Sequence, residues 1–482
     1  MLDRYFIQKF LAIIIVISLI LGCGQVSNDI TFTTKSDKAL DIFLDGLSKN
    51  ENFYNDEARA LFGKAVELDP EFAIAYYYWA ITSATQDDFQ SRLSRAVELI
   101  DKASKPERLV ILSQKALNDD SSGLALEYLQ QLVEVCPNGK RAHLFLGIYY
   151  FGQQEWTLSI DEMNVVISLD PNYAPAYNML GYAYVNTGKY SEAISALKKY
   201  SDLRPADPNP HDSMGEIFLI IGDHDNSIKH YTMSLKLESD YVPSNAGLGH
   251  NYIFMGDFEK ARNAYNDILI NASSTADTNT AYFWNAISYI YEGQSEKAIG
   301  VLKEQLDHAK ILTDIYTQAL IHGRMAAIYR EMSEFELALQ ECANMREIAE
   351  RPDMQPGIKE NYDRNYLFTE SIVYTRLGKK EMALAKLDLF KISAHASKSN
   401  ITLKNYLGLE GVLAYWNRDY NVAIKALKDT NPLNQYFKYY LGLCYLKIGE
   451  EDEAHEIFNE IVDFNRNGLL YSFVRPIVVK ML

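Results

Sequence analysis

Apolar and small residues recur along the middle of this chain at a fixed interval. A large apolar residue, a glycine and, three positions after it, an aromatic residue return every 34 residues without slippage. The repeated sets are Leu146, Gly147 and Tyr150; Leu180, Gly181 and Tyr184; Met214, Gly215 and Phe218; and Leu248, Gly249 and Tyr252. A period of this length predicts helical units that stack on one another and bury a shared core.

The second half of each unit repeats in the same register. A small residue is followed four positions later by a large one, and Pro171 and Pro205 close two of the units. The small and large partners are Ser159 and Met163, Ala193 and Leu197, Ser227 and Tyr231, and Ala261 and Tyr265. Small residues allow helices to approach closely, large residues fill the space between them, and proline ends a helix. Each unit is therefore predicted to be a pair of antiparallel helices.

This pattern resembles the tetratricopeptide repeat. The unit Ala174–Asp207 matches the signature of that family best. Its matching residues are Tyr177, Leu180, Gly181, Tyr184, Gly188, Ala193, Leu197 and Pro205. The resemblance implies an all-α fold, a right-handed superhelical solenoid of antiparallel helix pairs with about 11–12 repeats. It implies a binding surface but does not identify a partner.

The register becomes looser after Asn271. Matching positions are then spaced by nearly 40 residues, which predicts longer helices or loops. We predict a regular superhelix over residues 37–271, a looser repeat array over 272–467 and a C-terminal capping helix over 468–482. This last segment is rich in Leu, Phe, Val and Ile, so it either packs back onto the chain's own last repeat or offers a face for a partner or for self-association.

The N-terminus has the pattern of a bacterial lipoprotein signal peptide. A short positively charged segment precedes the apolar stretch Leu11–Leu21, which is too short to span a bilayer. Ile20-Leu21-Gly22-Cys23 resembles the lipobox, which implies cleavage of residues 1–22 and palmitate-type acylation of Cys23. Residues 23–36 are then predicted to be the lipidated cysteine and a flexible tether. Gly24 after the cysteine resembles lipoproteins of the outer membrane, if the source has two membranes.

Charge and cysteine content narrow the range of partners. The formal net charge is −17, so the chain would repel phosphate backbones and nucleic acid is not expected as a partner. Four cysteines are present, and none forms a CxxC pair. Cys342 and Cys444 fall at helix-core positions and are predicted to be small buried apolar residues.

Catalytic signatures are missing from the sequence. It contains no HExxH, GxSxG, GxxxxGK[ST] or GxGxxG motif. We therefore predict that the protein is not an enzyme and needs no cofactor. Asp212, Glu216 and His250 could be imagined as metal ligands, but an acidic groove is the simpler interpretation, and no metal site is predicted.

In tetratricopeptide proteins ligands usually lie on the concave face, along exposed positions of the first helix of each pair. The resemblance places a polar, aromatic and acidic set there, formed by Asn178, Tyr182, Asp212, Glu216, His250 and Phe283. Asp212 could alternatively cap the helix that begins near Pro210. Because Asp212 and Glu216 would repel a carboxylate, we predict no carboxylate clamp and a partner with basic or amphipathic segments.

These observations favour a membrane-anchored scaffold or adaptor of the bacterial cell envelope that binds other proteins. The alternative is a surface lipoprotein that captures a carbohydrate or peptide ligand, for which the abundant tyrosines would supply stacking surfaces. The regular repeats leave little sequence for a separate sugar-binding domain, which weakens this alternative.

Overall fold

A computed structural model describes residues 29–52, 54–352 and 354–482, and all the regular structure in these residues is helical. Cys23 and the predicted signal peptide lie outside the described residues. The helices are α1 Asp37–Glu51, α2 Asn55–Leu68, α3 Ala73–Ile81, α4 Gln86–Glu98, α5 Lys105–Asn118, α6 Ser122–Val135, α7 Lys140–Gly152, α8 Trp156–Leu169, α9 Ala174–Asn186, α10 Tyr190–Leu203, α11 Asn209–Ile221, α12 His224–Leu237, α13 Val242–Phe254, α14 Phe258–Ile270, α15 Thr275–Tyr291, α16 Ser295–Ile311, α17 Ile315–Glu331, α18 Phe335–Ala349, α19 Pro356–Arg376, α20 Lys380–Ser397, α21 Asn400–Trp416, α22 Tyr420–Lys428, α23 Gln435–Ile448, α24 Glu451–Val462 and α25 Leu469–Met481.

Helices α1 to α24 form consecutive packed pairs, as the repeat pattern predicts. We call the odd-numbered helix of each pair the A helix and the even-numbered one the B helix. Neighbouring A helices contact each other along much of the chain, whereas the extensive contacts of each B helix are with the A helices on either side. The A helices therefore form the crowded inner layer of a curved solenoid, and the B helices form the outer layer.

The 34-residue period has a direct steric cause, seen most clearly around Tyr231. This ring is buried in α12 and lies between Gly215 of α11 and Gly247 of α13. A Cβ atom added at Gly247 would lie 2.1 Å from Cζ of Tyr231, and one at Gly215 would lie 2.8 Å from Cδ1 of the same ring. Glycine on the A helix is thus required by the large residue of the B helix.

Helix length increases near residue 271 and decreases again at α22, α23 and α24, which have 9, 14 and 12 residues. Helices α1 to α14 have 9–15 residues, whereas α15 to α21 have 15–21 residues. Packing does not break there, because α14 contacts α15 extensively and one hydrophobic core runs from Leu219 to Val478. We call residues 37–271 the first array and residues 272–467 the second array.

The second array lies against the edge of the first array at the turns between A and B helices. Arg364 of α19 forms two hydrogen bonds with the carboxylate of Asp120, at 2.7 and 3.0 Å, in the turn after α5. Asn400 donates to Glu155 in the turn after α7, at 2.7 Å. Arg466 donates to Asn186 at the end of α9, at 2.8 Å. Three successive turns of the first array thus hold the second one in place.

The C-terminal helix α25 packs back onto the chain. It contacts α23 and α24 of the last pair and also α15 and α17, with Tyr471, Val474 and Val478 buried. The hydroxyl of Tyr471 donates to the carbonyl oxygens of Ile461 and Phe464, both at 2.6 Å. This favours the first of the two interpretations of segment 468–482, although its outer face still exposes Val479 and Leu482.

The described part of the predicted tether is held against the repeats, which differs from a freely flexible segment. Ile30 is buried, and the Phe32 ring lies 4.8 Å from the ring of Phe43. The Thr33 amide donates to Glu107, and the Lys35 amide donates to Asp69. Two apolar side chains among the polar ones cause this attachment, since each removes apolar surface from water by packing on the first repeats.

Candidate functional site

The inner layer of the first array encloses a cavity of about 850 Å³, which we call the apolar chamber. Its wall is formed almost entirely by A helices, because these helices face the concave side. The lining includes Leu47, Asn50 and Glu51 of α1; Tyr77, Tyr78 and Ile81 of α3; Ser113, Gln114 and Leu117 of α5; Arg141, Leu144, Phe145, Ile148 and Tyr149 of α7; and Pro175, Asn178, Met179 and Tyr182 of α9. Most of these side chains are apolar or aromatic.

Polar groups are few in the chamber, and most of them are already paired. The Arg141 guanidinium lies 3.0 Å from Glu51 and 3.4 Å from Asp29, so its charge is balanced within the chain. Asn178 differs, since its side chain is 8% exposed and its Oδ1 atom has no hydrogen-bond partner among the described residues. A buried acceptor of this kind is costly unless a ligand donates to it.

A second cavity of about 500 Å³ lies further along the concave side, between α11, α13 and α15, and we call it the acidic groove. Asp212 and Glu216 of α11, His250 of α13 and Trp284 of α15 line it. The two carboxyl groups are one helical turn apart on the same face of α11. The groove therefore contains two carboxyl groups on one helical face.

Burial sets the charge state of the groove. Desolvation raises the pKa of Asp212 to about 7, against the hydrogen bond from the Ser244 hydroxyl, which lowers it. Desolvation lowers the pKa of His250 to about 3, so this imidazole is neutral and its Nδ1 atom lies 2.8 Å from the Tyr265 hydroxyl. Close to neutral pH, Asp212 is thus poised between its two protonation states.

Tyr182 connects the two cavities. Its side chain lines the apolar chamber, and its hydroxyl donates to Oε2 of Glu216 in the acidic groove at 2.7 Å. Chamber and groove are therefore adjoining parts of one concave surface, separated by a single tyrosine.

The end of the second array also reaches this surface. Residues 463–468 join α24 to α25 without helical structure, and we call them the strap. Asn465, Arg466 and Asn467 of the strap line the acidic groove together with α11 and α13. Nothing in the local sequence of the strap indicates this position, because it depends on contacts across 280 residues.

Five of the six predicted concave residues line the two cavities, and all six are less exposed than expected. Asn178 and Tyr182 lie in the chamber, Asp212, Glu216 and His250 lie in the groove, and Phe283 lies beside Trp284 with Arg324 over its ring. Asn178 and Asp212 were predicted to be exposed and are 8% and 7% exposed. The crowding of neighbouring A helices covers them.

Asp212 does not cap α11: Asp207 accepts from the Asn209 amide at the start of that helix, and Asp212 points instead to Ser244. Across the part of the chain that the structure describes, no group of three His, Cys, Asp or Glu side chains could hold a metal ion. Cys342 and Cys444 are buried as predicted, and burial raises the pKa of both thiols to about 12.

Sequence reasoning missed the chamber and the strap. The signal for the chamber was present, since Ile81, Leu117 and Ile148 are large apolar residues at A-helix positions that the core pattern does not need. They remain partly exposed and face the cavity. Within residues 29–52, 54–352 and 354–482, no helix combines the length and apolar character that crossing a bilayer requires.

Comparison with known proteins identifies the repeats. One tetratricopeptide repeat model matches residues 174–207 and 242–269, and a second matches 409–468. The first match has the same bounds as the unit predicted from sequence, and the matches fall in both arrays. No curated protein sequence matches the chain significantly.

Several solved structures are similar in fold. A thermophilic tetratricopeptide protein of Thermus thermophilus, TTC0263, is 19% identical with a TM-score of 0.32, and the match covers 36% of this chain and 94% of that one. MamA is 23% identical with a TM-score of 0.28 over 35% of this chain and 96% of that chain. The APC/C hetero-tetramer Cut9-Hcn1 matches 94% of this chain and 79% of that one, at 12% identity and a TM-score of 0.43. Each is a likeness of fold only.

Proposed function

We propose that this protein is a lipid-anchored adaptor of the bacterial cell envelope, and that it holds an amphipathic segment of a partner protein in the apolar chamber. Tetratricopeptide repeats supply the general role, which is protein interaction through a preformed concave surface. The chamber supplies the more specific part of the proposal.

The observation that carries the proposal is a set of large apolar side chains that face a cavity instead of a core. Ile148 is 44% exposed, and Leu117 and Ile81 are nearly as exposed. All three line the chamber together with aromatic rings such as Phe145. A concave apolar surface bordered by polar groups is typical of a site that binds the apolar face of a partner helix or peptide.

The polar groups of the chamber indicate what the partner segment must offer. Arg141 is already paired with Glu51, so the chamber has no free cation there for a carboxylate. Asn178 offers an unpaired acceptor, which a backbone or side-chain N–H group could satisfy. An amphipathic segment with apolar residues and one donor group fits these constraints.

Membrane attachment through Cys23 is supported by the lipobox resemblance and by the short spacer between Cys23 and the first described residue, Asp29. Asp29 hydrogen-bonds to Arg141, which lines the chamber. Cys23 is six residues before Asp29, a distance of at most about 20 Å even when fully extended. An acylated Cys23 would therefore keep the chamber close to the membrane surface, where more than one acyl chain gives stable anchoring.

Site-specific photocrosslinking in cells tests the chamber. Benzoylphenylalanine at Ile148 should form an adduct with a defined protein, identified by mass spectrometry. The matched control is Leu158 on α8, which is 43% exposed but does not line the chamber. A second substitution, Leu117→Asp, should abolish the adduct, because it puts a charge into the chamber wall. The same adduct at both positions, or one that survives Leu117→Asp, would contradict the proposal.

Metabolic labelling with an alkyne analogue of palmitate tests the anchor. The wild-type protein should carry the label and sediment with membranes, whereas Cys23→Ser should lose both properties. Ser27→Ala, which leaves the lipobox unchanged, serves as the control. Label that persists in Cys23→Ser would rule out acylation at this residue.

A further inference from the structure

The strap occupies the acidic half of the concave surface with a residue of complementary charge. Arg466 is the one basic residue between α24 and α25, and it lies in the groove beside Glu216 and Tyr182. Its Nη1 atom donates to Oδ1 of Asn186 at 2.8 Å. A guanidinium is thus the chemical group that the chain itself places in this groove.

The fit of Arg466 is incomplete. No carboxylate of the described residues lies within salt-bridge distance of its guanidinium, and desolvation lowers its pKa. The nearby Glu216 accepts a hydrogen bond from the Tyr182 hydroxyl instead. An arginine that reached Glu216 directly could form the two-pronged contact that guanidinium and carboxylate groups favour.

Asn467 is also poorly accommodated. Both polar atoms of its side-chain amide are buried and have no hydrogen-bond partner among the described residues. It lies between the acidic groove and a third cavity of about 370 Å³ that the strap and Gln435 line. Unpaired buried amide atoms destabilise the position that the strap occupies, so the strap is held in the groove less firmly than a fully paired segment would be.

We propose that the strap is an internal ligand that fills an arginine subsite formed by Glu216, Tyr182 and Asn186, and that the arginine of a partner segment displaces it. This inference rests on the proposed function, since the same segment would place its apolar residues in the chamber. Tyr182 joins the two sites, so the arginine would follow the apolar residues closely along the partner chain. The strap then competes with the partner for the arginine subsite, and only a segment that carries an arginine displaces it.

Chemical complementation tests the subsite without knowledge of the partner. Arg466→Ala leaves the subsite vacant, and N-acetyl-arginine amide at millimolar concentration is the probe, with binding followed by calorimetry on the full chain. We expect saturable binding to Arg466→Ala that is at least about tenfold tighter than to the wild-type protein, whose own arginine competes. N-acetyl-citrulline amide, which has the same shape without the charge, should bind at least about tenfold more weakly than the arginine probe.

The double variant Arg466→Ala/Glu216→Gln should lose the binding of the arginine probe. Arg466→Gln, which keeps a long polar side chain in the strap, provides a second vacant form if Arg466→Ala folds poorly. Equal binding of the arginine and citrulline probes, equal binding to wild-type and vacant forms, or binding that survives Glu216→Gln would each overturn the inference.

Photocrosslinking from Ile148 separates this inference from the proposed function. If the strap competes with the partner, Arg466→Ala should raise the adduct yield, and Glu216→Gln should lower it. An adduct whose yield responds to neither substitution would overturn the inference and leave the adaptor function standing. Absence of any adduct from Ile148 would instead count against the adaptor function, whereas the calorimetric result would still decide whether the arginine subsite exists.

Discussion

The apolar chamber and the acidic groove occupy equivalent places in the solenoid but meet their surroundings differently. Both are lined by A helices on the concave side, within the first array and its junction with the second. The chamber exposes apolar side chains such as Ile148, and the groove buries carboxyl groups such as Asp212. The groove also receives Arg466 from the far end of the chain, whereas the chamber receives no segment comparable to the strap among the described residues.

This difference shows that the repeat pattern controls the position of the concave face but not its chemical character. The small and large positions between A and B helices are set by packing, and they place the concave face. Side chains on that face do not take part in this packing, so they can be apolar in one half and acidic in the other. Buried acidic groups are costly without partners, which explains why the groove has Ser244, Tyr182 and a nearby arginine from the same chain.

Substitution of the buried carboxyl group of the groove should change the stability of the protein most. Asp212 has a pKa of about 7 in the folded protein and 3.8 as its ordinary value. The folded state therefore retains a proton that the unfolded state releases, and stability falls as the pH rises from about 4 to about 7. Asp212→Asn, which still accepts from Ser244, should remove this loss and stabilise the protein at pH 8 by up to about 4 kcal/mol.

Urea denaturation of Asp212→Asn and wild-type protein at pH 8 and pH 4 measures this effect. The gain should be large at pH 8 and should disappear at pH 4. Asp161→Asn on the exposed outer face of α8 is the control and should change stability little at either pH. A gain of equal size at both values would show that the carboxyl group does not carry the pH dependence.

The next effect contrasts two glycines that line the two cavities. Gly247 lines the groove, and a methyl group there would lie 2.1 Å from the buried Tyr231 ring. Gly152 lines the chamber and has no atom within 4 Å of the equivalent position. Gly247→Ala should destabilise the protein by about 3 kcal/mol, and Gly152→Ala should leave the free energy of unfolding unchanged or raise it by under about 1 kcal/mol. Thermal and urea unfolding of both variants measure these changes. Equal losses of stability in the two variants would refute the predicted contrast.

A smaller effect is expected at the contact that joins the two arrays. The side chains of Arg364 and Asp120 are 8% and 18% exposed, and Asp120 has a φ angle of +57°. Asp120→Asn keeps a residue that tolerates this backbone conformation but removes the charge, at a cost of about 2 kcal/mol. Hydrogen exchange should then increase in α19. The control Asp307→Asn alters an exposed pair with Lys310 and should have almost no effect.

The smallest effect separates stability from binding in the chamber. Asn178→Leu removes a buried acceptor without a partner and keeps a similar volume, so it should stabilise the unbound protein by about 1 kcal/mol. The same change should reduce the adduct yield from Ile148, because the partner loses the acceptor of its donor group. Lower stability together with unchanged crosslinking would show that Asn178 serves the fold and not the site.

Much of the fold follows from local patterns, and the candidate site follows only in part. The eight signature residues of the unit Ala174–Asp207, among them Gly181 and Leu197, predict one helix pair, and α9 and α10 lie within these bounds. The same register predicts that Asp212 and Glu216 share one helical face, and both line the acidic groove. Their burial is not predictable in this way, because it depends on how closely the next A helix approaches and on what else enters the groove.

The helix pairs and their order follow from the amino-acid sequence alone, because the 34-residue period reports contacts between residues close together in the chain. The position of Arg466 beside Asn186 and Glu216, and the pairing of Arg364 with Asp120, depend instead on how distant repeats pack. These contacts arise from the rotation between successive repeats, which is small at each step and accumulates over the solenoid. No local sequence pattern specifies this accumulated rotation. The position of the strap in the acidic groove therefore depends on the complete superhelix.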